Sequence, residues 1–175
     1  MKHGIKLILA TAVVLGAWPR IISMHRPVIT SNASRLWPEV KHFVDTHAII
    51  HSAAKKHNVS AAFVKSIVAA ESNFNQDAIS PKGAIGLMQL MPETAQAYGA
   101  DPTVPEQNVD AGTQFLGALL KRYSKHRDGL VRAIAAYNAG PSVVDRYRGV
   151  PPFRETRGYV KRVLAFLRQY EREEG

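Results

Sequence analysis

A carboxylic acid on the apolar stripe of a helix is a candidate proton donor, and Glu71 occupies such a place. Ser60 is followed by Phe63, Val64, Ile67 and Val68 at helical spacing, and Glu71 falls four residues after Ile67 and three after Val68, on the same side. Partial burial there disfavours the charged form and raises the pKa, a property that a general acid needs near neutral pH. A structural Glu paired with one of the many Arg or Lys residues explains the same placement without any chemistry.

Other residues suggest chemistry and fall short of it. His47 and His51 have the i, i+4 spacing of a zinc pair, but Ala48 stands where the metalloprotease motif needs Glu, so both are expected on the surface and no metal is expected. Ser72, beside Glu71, lacks the flanking glycines of a nucleophile elbow. Asp77 shares a polar stretch with Asn73, Asn75 and Gln76, where a solvated turn residue is the simpler reading. Glu93 suits the dipole of a first helical turn. Gly83 and Gly86 permit unusual dihedrals and close backbone approach, and Gln89 offers donors and an acceptor that suit the N-acetyl and hydroxyl groups of a sugar. No phosphate-cradling loop is present.

The elements that position these residues read as helices joined by short polar turns, without a run of alternating residues that marks a long strand. A first helix is predicted from about Thr46 to His57, with Ile49, Ile50, Ala53 and Ala54 inward and Asn58 as a left-handed cap. Ser60 caps the helix that carries Glu71. The stretch from Asn73 to Ile85 is rich in turn residues and is expected to fold back beside that helix's C-terminal end. Pro92 opens a short helix that ends at Gly99, and Asn108 is expected to cap a longer one with Val109, Leu116, Leu119, Leu120 and Tyr123 on its core face. Asp128 opens a helix through Leu130, Ile134 and Tyr137, closed by Asn138-Ala139-Gly140-Pro141. A last helix from about Thr156 to Tyr170 buries Val160, Val163, Leu164 and Leu167.

A chain of 175 residues with 46% hydrophobic content suffices for one domain with a real core. It has no cysteine, which excludes disulfides, thiolate metal sites and a cysteine nucleophile. Lys2 and Lys6 precede an apolar run from Leu7 to Ala17, the length of a signal-peptide core, so residues 1–17 are expected to act as an export signal or, uncleaved, as an anchor. Residues 18–45 form a tether and N-terminal extension, and 46–171 the domain. The net charge is +9, and the cations Arg146, Arg148, Arg154, Arg157, Lys161, Arg162, Arg168 and Arg172 concentrate late, which suits an anionic surface. The aromatic residues follow core periodicity and no nucleic-acid motif appears, so nucleic acid is not an expected partner.

Four motifs bring these residues together: Glu71-Ser72-Asn73-Phe74, then Ser80-Pro81-Lys82-Gly83-Ala84-Ile85-Gly86-Leu87-Met88-Gln89-Leu90-Met91-Pro92, then Ala136-Tyr137-Asn138-Ala139-Gly140-Pro141, then Glu155-Thr156-Arg157-Gly158-Tyr159-Val160. In order and spacing they resemble the catalytic domain of soluble lytic transglycosylases over about Ala48 to Tyr170. The resemblance implies a mostly α, lysozyme-like single domain, related to goose-type lysozyme, with a substrate cleft and little or no β-structure. It implies a periplasmic or envelope-associated enzyme acting on the glycan strands of peptidoglycan, with no cofactor, and touching a membrane only through an uncleaved leader. In that family a lone acid, matched by Glu71, protonates the oxygen linking N-acetylmuramic acid to N-acetylglucosamine and then acts as base on the C6 hydroxyl, giving a 1,6-anhydro product without water. Substrate contacts implied by the resemblance fall on Ser80, Met88, Gln89, Met91, Tyr137, Asn138 and Glu155, with Tyr137 facing the acid and holding its carboxyl. Ser72 and Tyr159 are placed in support.

A hydrolase of ordinary type needs a second carboxylate. The sequence does not clearly supply one, since Asp77 and Glu93 both have simpler explanations. A hydrolytic muramidase on the same substrate and a non-catalytic peptidoglycan-binding module are the alternatives. The small layout is also similar to transglycosylases that serve secretion, pilus or conjugation machines, an analogy of form alone.

Overall fold

The computed structural model describes residues 38–174, with side chains from Thr46 onward. The leader-like run of residues 7–17 and the tether up to Trp37 lie outside the described residues. Seven helices follow one another among those described: α1 Pro38–His57, α2 Ala61–Ser72, α3 Pro92–Ala97, α4 Pro105–Tyr123, α5 Gly129–Ala139, α6 Pro141–Tyr147 and α7 Arg154–Glu174.

Helix α2 is the axis of the domain. The sequence predicts a half-buried helix with one apolar stripe, yet every residue from Ala62 to Ala69 is buried, Lys65 and Ser66 included. The cause is enclosure: α2 packs along α7, with α1 on another side, so little of its circumference meets water. Ser66 turns its hydroxyl back to the Ala62 carbonyl, which satisfies it within the helix. Lys65 sends its ammonium to Glu174 at 3.7 Å and over the Tyr170 ring at 5.1 Å. Val64, Ile67 and Val68 of α2 join Ile50 of α1, Leu116 of α4, Ile134 of α5 and Val163 of α7 in one core. Each fully buried aliphatic side chain contributes about 1.5–3 kcal/mol.

The ends of α2 are set by the residues expected. The Ser60 hydroxyl accepts the Phe63 N–H at 3.3 Å, and Asn58 closes α1 with φ 53° while the Val59 N–H reaches back to Ala54 at 3.0 Å. At the other end Asn73 and Phe74 both take positive φ, 52° and 63°. Two successive left-handed residues reverse the chain sharply. A bulky residue resists that conformation, and Phe74 is held in it by packing on the core and by a His47 ring stacked at 6.2 Å and 5°. His47 is therefore half-buried and not on the surface as its sequence suggests.

The reversed chain forms a small wing beside the end of α2. Antiparallel bridges join Ile79 to Ile85 and Ile85 to Leu90, the extent of β-pairing among the described residues. The wing is tied to the helices by Asn108. Sequence places this residue at an N-cap, but α4 starts at Pro105, whose preset φ suits the first turn, and Asn108 lies inside the helix, fully buried. Its Oδ1 accepts the Met88 N–H at 2.9 Å, and its Nδ2 donates to the carbonyls of Ile85 at 2.8 Å and Pro102 at 2.9 Å.

Three other boundaries differ. Helix α1 begins at Pro38, earlier than Thr46. Pro141 ends α5 as expected but also opens the short α6, because a fixed φ that stops one helix suits the first turn of the next. Helix α7 extends the predicted span at both ends, to Arg154 and Glu174.

Candidate active site

Glu71 lies in the last turn of α2, where the enclosed axis of the domain emerges into a cleft of about 310 Å³. The cleft is lined also by Ser80, Gln89 and Met91 from the wing, Tyr137 and Asn138 from α5, and Glu155 from α7. Six of the seven residues expected to touch substrate thus share one cavity with Glu71. Larger concavities lie elsewhere, one of about 840 Å³ along α7 and one of about 600 Å³ beside α1. Chemistry and not size marks the smaller cleft, because it holds a half-buried carboxyl of altered proton affinity.

The Glu71 pKa is raised from 4.5 to about 7, and burial is the largest cause. The Tyr159 hydroxyl and the Arg162 guanidinium oppose that rise by favouring the carboxylate, and the like charge of Glu155 adds to it. Tyr159 is buried in the core, and its hydroxyl makes no hydrogen bond of ordinary length within the protein. It therefore faces the carboxyl loosely. Burial and the neighbouring Glu71 both push the Tyr159 and Tyr137 hydroxyls well above the ordinary tyrosine value, so both stay protonated.

The part that sequence gives to Tyr137, a hydroxyl held to the acid, is arranged differently. Tyr137 donates its proton to the Met88 carbonyl at 3.0 Å, and the hydroxyl nearer to engaging Glu71 is that of Tyr159. Tyr137 still borders the cleft and packs on Phe115 at 5.4 Å.

Met88 does not line the cleft. It is fully buried, its sulfur lies 3.8 Å from the Thr113 hydroxyl, and a Cβ on Gly112 would meet that sulfur at 2.6 Å. Only its backbone serves the site, through the Tyr137 and Asn108 hydrogen bonds. Ser72 likewise stays outside the cavity lining: its hydroxyl is 2.9 Å from the Leu87 carbonyl and 3.2 Å from that of Val68, so it fastens the end of α2 to the wing.

Gln89 has φ 46°, a left-handed conformation unusual for its type. Its amide nitrogen donates to the carbonyls of Ala78 at 2.9 Å and Gly86 at 3.0 Å, so the donors expected to meet a sugar are spent on the wing and the amide oxygen is left to accept. The Ser80 hydroxyl oxygen accepts the Ala84 N–H at 3.0 Å, and its own proton remains available to donate.

A second carboxylate does border the cleft, contrary to the expectation of a solitary one. Glu155 stands at the first turn of α7, 70% of its side chain exposed, with Lys82 of the opposite wing at 3.8 Å. Sequence gives Lys82 no role and Arg162 only a place among the late cations, although Lys82 lies within the second motif and Arg162 follows Tyr159 by three residues on one helix. Among the described residues no group of three or more His, Cys, Asp or Glu side chains is arranged to hold a metal.

Residues 48–159 match the family described as the transglycosylase SLT domain. The chain belongs to that family. It is 34% identical over 137 residues to the soluble lytic murein transglycosylase of Salmonella typhimurium, covering 65% of this chain and 21% of that protein. It is 33% identical over 117 residues to the membrane-bound lytic murein transglycosylase C of Haemophilus influenzae, covering 56% of this chain and 32% of the relative. The 70 kDa soluble lytic transglycosylase of Escherichia coli superposes with a TM-score of 0.66 at 31% identity, over 73% of this chain and 24% of that one. An inactive Glu-to-Gln mutant of the lytic transglycosylase Slt from Pseudomonas aeruginosa gives 0.63 at 32% identity, over 72% and 24%. The chain thus spans about a fifth to a third of the length of these relatives. Its fold is mostly α and lysozyme-like, as the family's motifs imply.

Proposed function

We propose that this chain is a peptidoglycan lytic transglycosylase in which Glu71 serves first as general acid and then as general base. The observation that carries the reading is a half-buried carboxyl with a pKa of about 7, set in a cleft whose other lining is polar enough to receive a sugar. At neutral pH a large share of Glu71 is protonated, so it can deliver its proton to the bridging glycosidic oxygen as the C1–O bond breaks. The resulting carboxylate then accepts the C6 hydroxyl proton while that oxygen bonds to C1. This closes a 1,6-anhydro-muramic ring and restores the acid. No water is consumed.

Positive charge at C1 is met by the muramic N-acetyl oxygen, a substrate-assisted route that spares a second protein carboxylate. Ser80, as donor, and the Gln89 oxygen, as acceptor, are suited to fix the sugar's polar groups from the wing. The relatives are named murein transglycosylases, and the solved inactive mutant of one of them carries Gln for Glu. An envelope location is supported by the leader-like segment and by the membrane-bound relative.

Hydrolysis is the second reading, because Glu155 borders the same cleft. Its exposure and its pairing with Lys82 leave it solvated, a poor state for a base that must strip a proton from water. Mass spectrometry of the fragments released from purified sacculi separates the two. The expected products end in anhydro-muramic acid, and Glu71→Gln folds but releases nothing. Free reducing ends from the wild type, or undiminished turnover by Glu71→Gln, overturns the proposal.

A further inference from the structure

The chain has four methionines and no cysteine, so two-electron oxidation at sulfur falls on thioethers alone. Met1 and Met24 lie outside the described residues. The other two stand three positions apart in the wing, in opposite surroundings. Met88 is fully buried, with its sulfur 3.8 Å from the Thr113 hydroxyl, and no oxidant reaches it while the fold is closed. Met91 is 38% exposed. Among the described residues the large apolar side chains that meet solvent are Ile79, Met91, Leu130, Tyr147 and Phe153, and of these only Met91 lines the cleft that holds Glu71. An accessible thioether thus stands where the sugar is received.

The main chain holds that side chain in place from both directions. Leu90 exchanges two backbone hydrogen bonds with Ile85, at 2.9 and 3.0 Å. On the other side Met91 caps α3: its carbonyl accepts the Ala95 N–H at 3.0 Å, and the ring of Pro92 fixes the first helical residue. A change at the sulfur is therefore met by the cleft and not relieved by the backbone. Conversion to the sulfoxide is a large change in a space of about 310 Å³. A polarizable apolar group becomes a dipole whose added oxygen accepts hydrogen bonds, so the apolar face of a sugar ring loses a partner and some of its room. The chemistry needs only a hydroperoxide. A lone pair of the Met91 sulfur attacks one peroxide oxygen, and the S–O bond forms as the O–O bond breaks. Sulfur is oxidised by two electrons, and the reduced oxygen leaves as water once it takes the proton of the transferred one. An envelope enzyme works outside the thiol-buffered interior of the cell, where oxidising conditions prevail.

Resting on the glycan-cleaving reading above, we propose that Met91 is a reversible oxidation site in the cleft, where a hydroperoxide converts it to the sulfoxide and weakens glycan binding until methionine sulfoxide reductase restores the thioether. The test treats the full chain with hydrogen peroxide and follows the added oxygen at each methionine by peptide mass spectrometry. Met91 is expected to gain the oxygen while Met88 does not, and KM for purified glycan strands to rise about 3- to 10-fold with kcat held. The reductase with dithiothreitol should return both mass and KM. Met24→Leu should keep the sensitivity, whereas Met91→Leu, whatever its own KM, should show no change on treatment. Calorimetric titration with chitotetraose reads the cleft without turnover, and its affinity should fall with the oxidation of Met91. A Met91 that stays unoxidised while Met24 reacts, a KM unmoved by sulfoxide at Met91, or a rise that persists in Met91→Leu overturns the inference and leaves the catalytic reading standing. Absence of glycan cleavage by the untreated wild type overturns the catalytic reading instead. The chitotetraose affinities of treated and untreated protein then decide the inference, equal values overturning it.

Discussion

Asn108 stands so close to Gly86 that a Cβ on the glycine would lie 2.5 Å from the asparagine Nδ2. The contact is needed because Asn108 reaches past Gly86 to hold the backbone of Ile85 and Met88, the segment of the wing that leads into Gln89 and Met91. Sequence alone shows two glycines that could line a sugar wall. The structure gives Gly86 to the asparagine and leaves Gly83 facing open space.

Gly86→Ala combines a φ of 78° with that clash, so it is expected to destabilise the fold by about 2–4 kcal/mol. Asn108→Leu leaves the buried Met88 N–H without a partner, at about 1–3 kcal/mol, and takes one of two donors from the Ile85 carbonyl, which keeps the Leu90 N–H. Urea unfolding monitored by circular dichroism measures both. A loss below about 0.5 kcal/mol in either variant contradicts the role given to this pair.

The raised pKa of Glu71 ties both activity and stability to pH, and both fall as pH rises. Activity needs the protonated acid, so kcat/KM is expected to hold below pH 7 and to fall about tenfold per unit well above it. For stability, the folded pKa of about 7 exceeds the ordinary 4.5, so between these values the native state keeps a proton that the unfolded chain has lost. Stability therefore declines as pH rises through that window, by a total on the order of 3 kcal/mol, and is level above it. Glu71→Gln removes the burden of a buried charge. It should raise the melting temperature at pH 8 and leave it unchanged at pH 4, and the reverse pattern in thermal scans contradicts the assignment.

The helical order and the identity of the cleft are legible from the sequence because periodic apolar residues and cap residues act locally. Ser60, Asn58 and Pro92 each do at their own position what their type dictates. What is not legible depends on partners distant in sequence. Met88 has the hydropathy of either a core or a cleft residue, and Gly112, twenty-four positions on, decides for the core. The duty of Asn108 is set by carbonyls and an amide in a separate segment, so its type suggests only a cap. Tyr137 and Tyr159 are interchangeable in type, and only the packing of α5 and α7 decides which hydroxyl bonds to Met88 and which faces Glu71.

Glu155→Gln separates a bystander carboxylate from a catalytic one. Removing its charge relieves a repulsion on the Glu71 carboxylate, so the alkaline limb of the pH profile is expected to move slightly to lower pH. The Lys82 contact weakens, and substrate affinity changes by no more than a few-fold, since both partners are largely exposed. The products remain anhydro-muramic species. A fall in rate of about 100-fold or more would assign Glu155 a direct part in the chemistry.

Tyr159→Phe tests the other neighbour of the acid. The ring is part of the buried core and stays, while the hydroxyl, buried without a hydrogen bond of ordinary length, is lost. Such a hydroxyl costs stability where it stands, so the variant should be as stable as the wild type or more so, by up to about 1 kcal/mol. Its effect on Glu71 runs the other way. The hydroxyl favours the carboxylate, and without it the acid holds its proton more tightly, which moves the alkaline limb of kcat/KM above its wild-type position near pH 7. A pH profile that shifts with unchanged thermal stability identifies Tyr159 as a residue that positions and tunes Glu71, whereas a large drop in melting temperature with an unmoved profile shows that it serves packing alone.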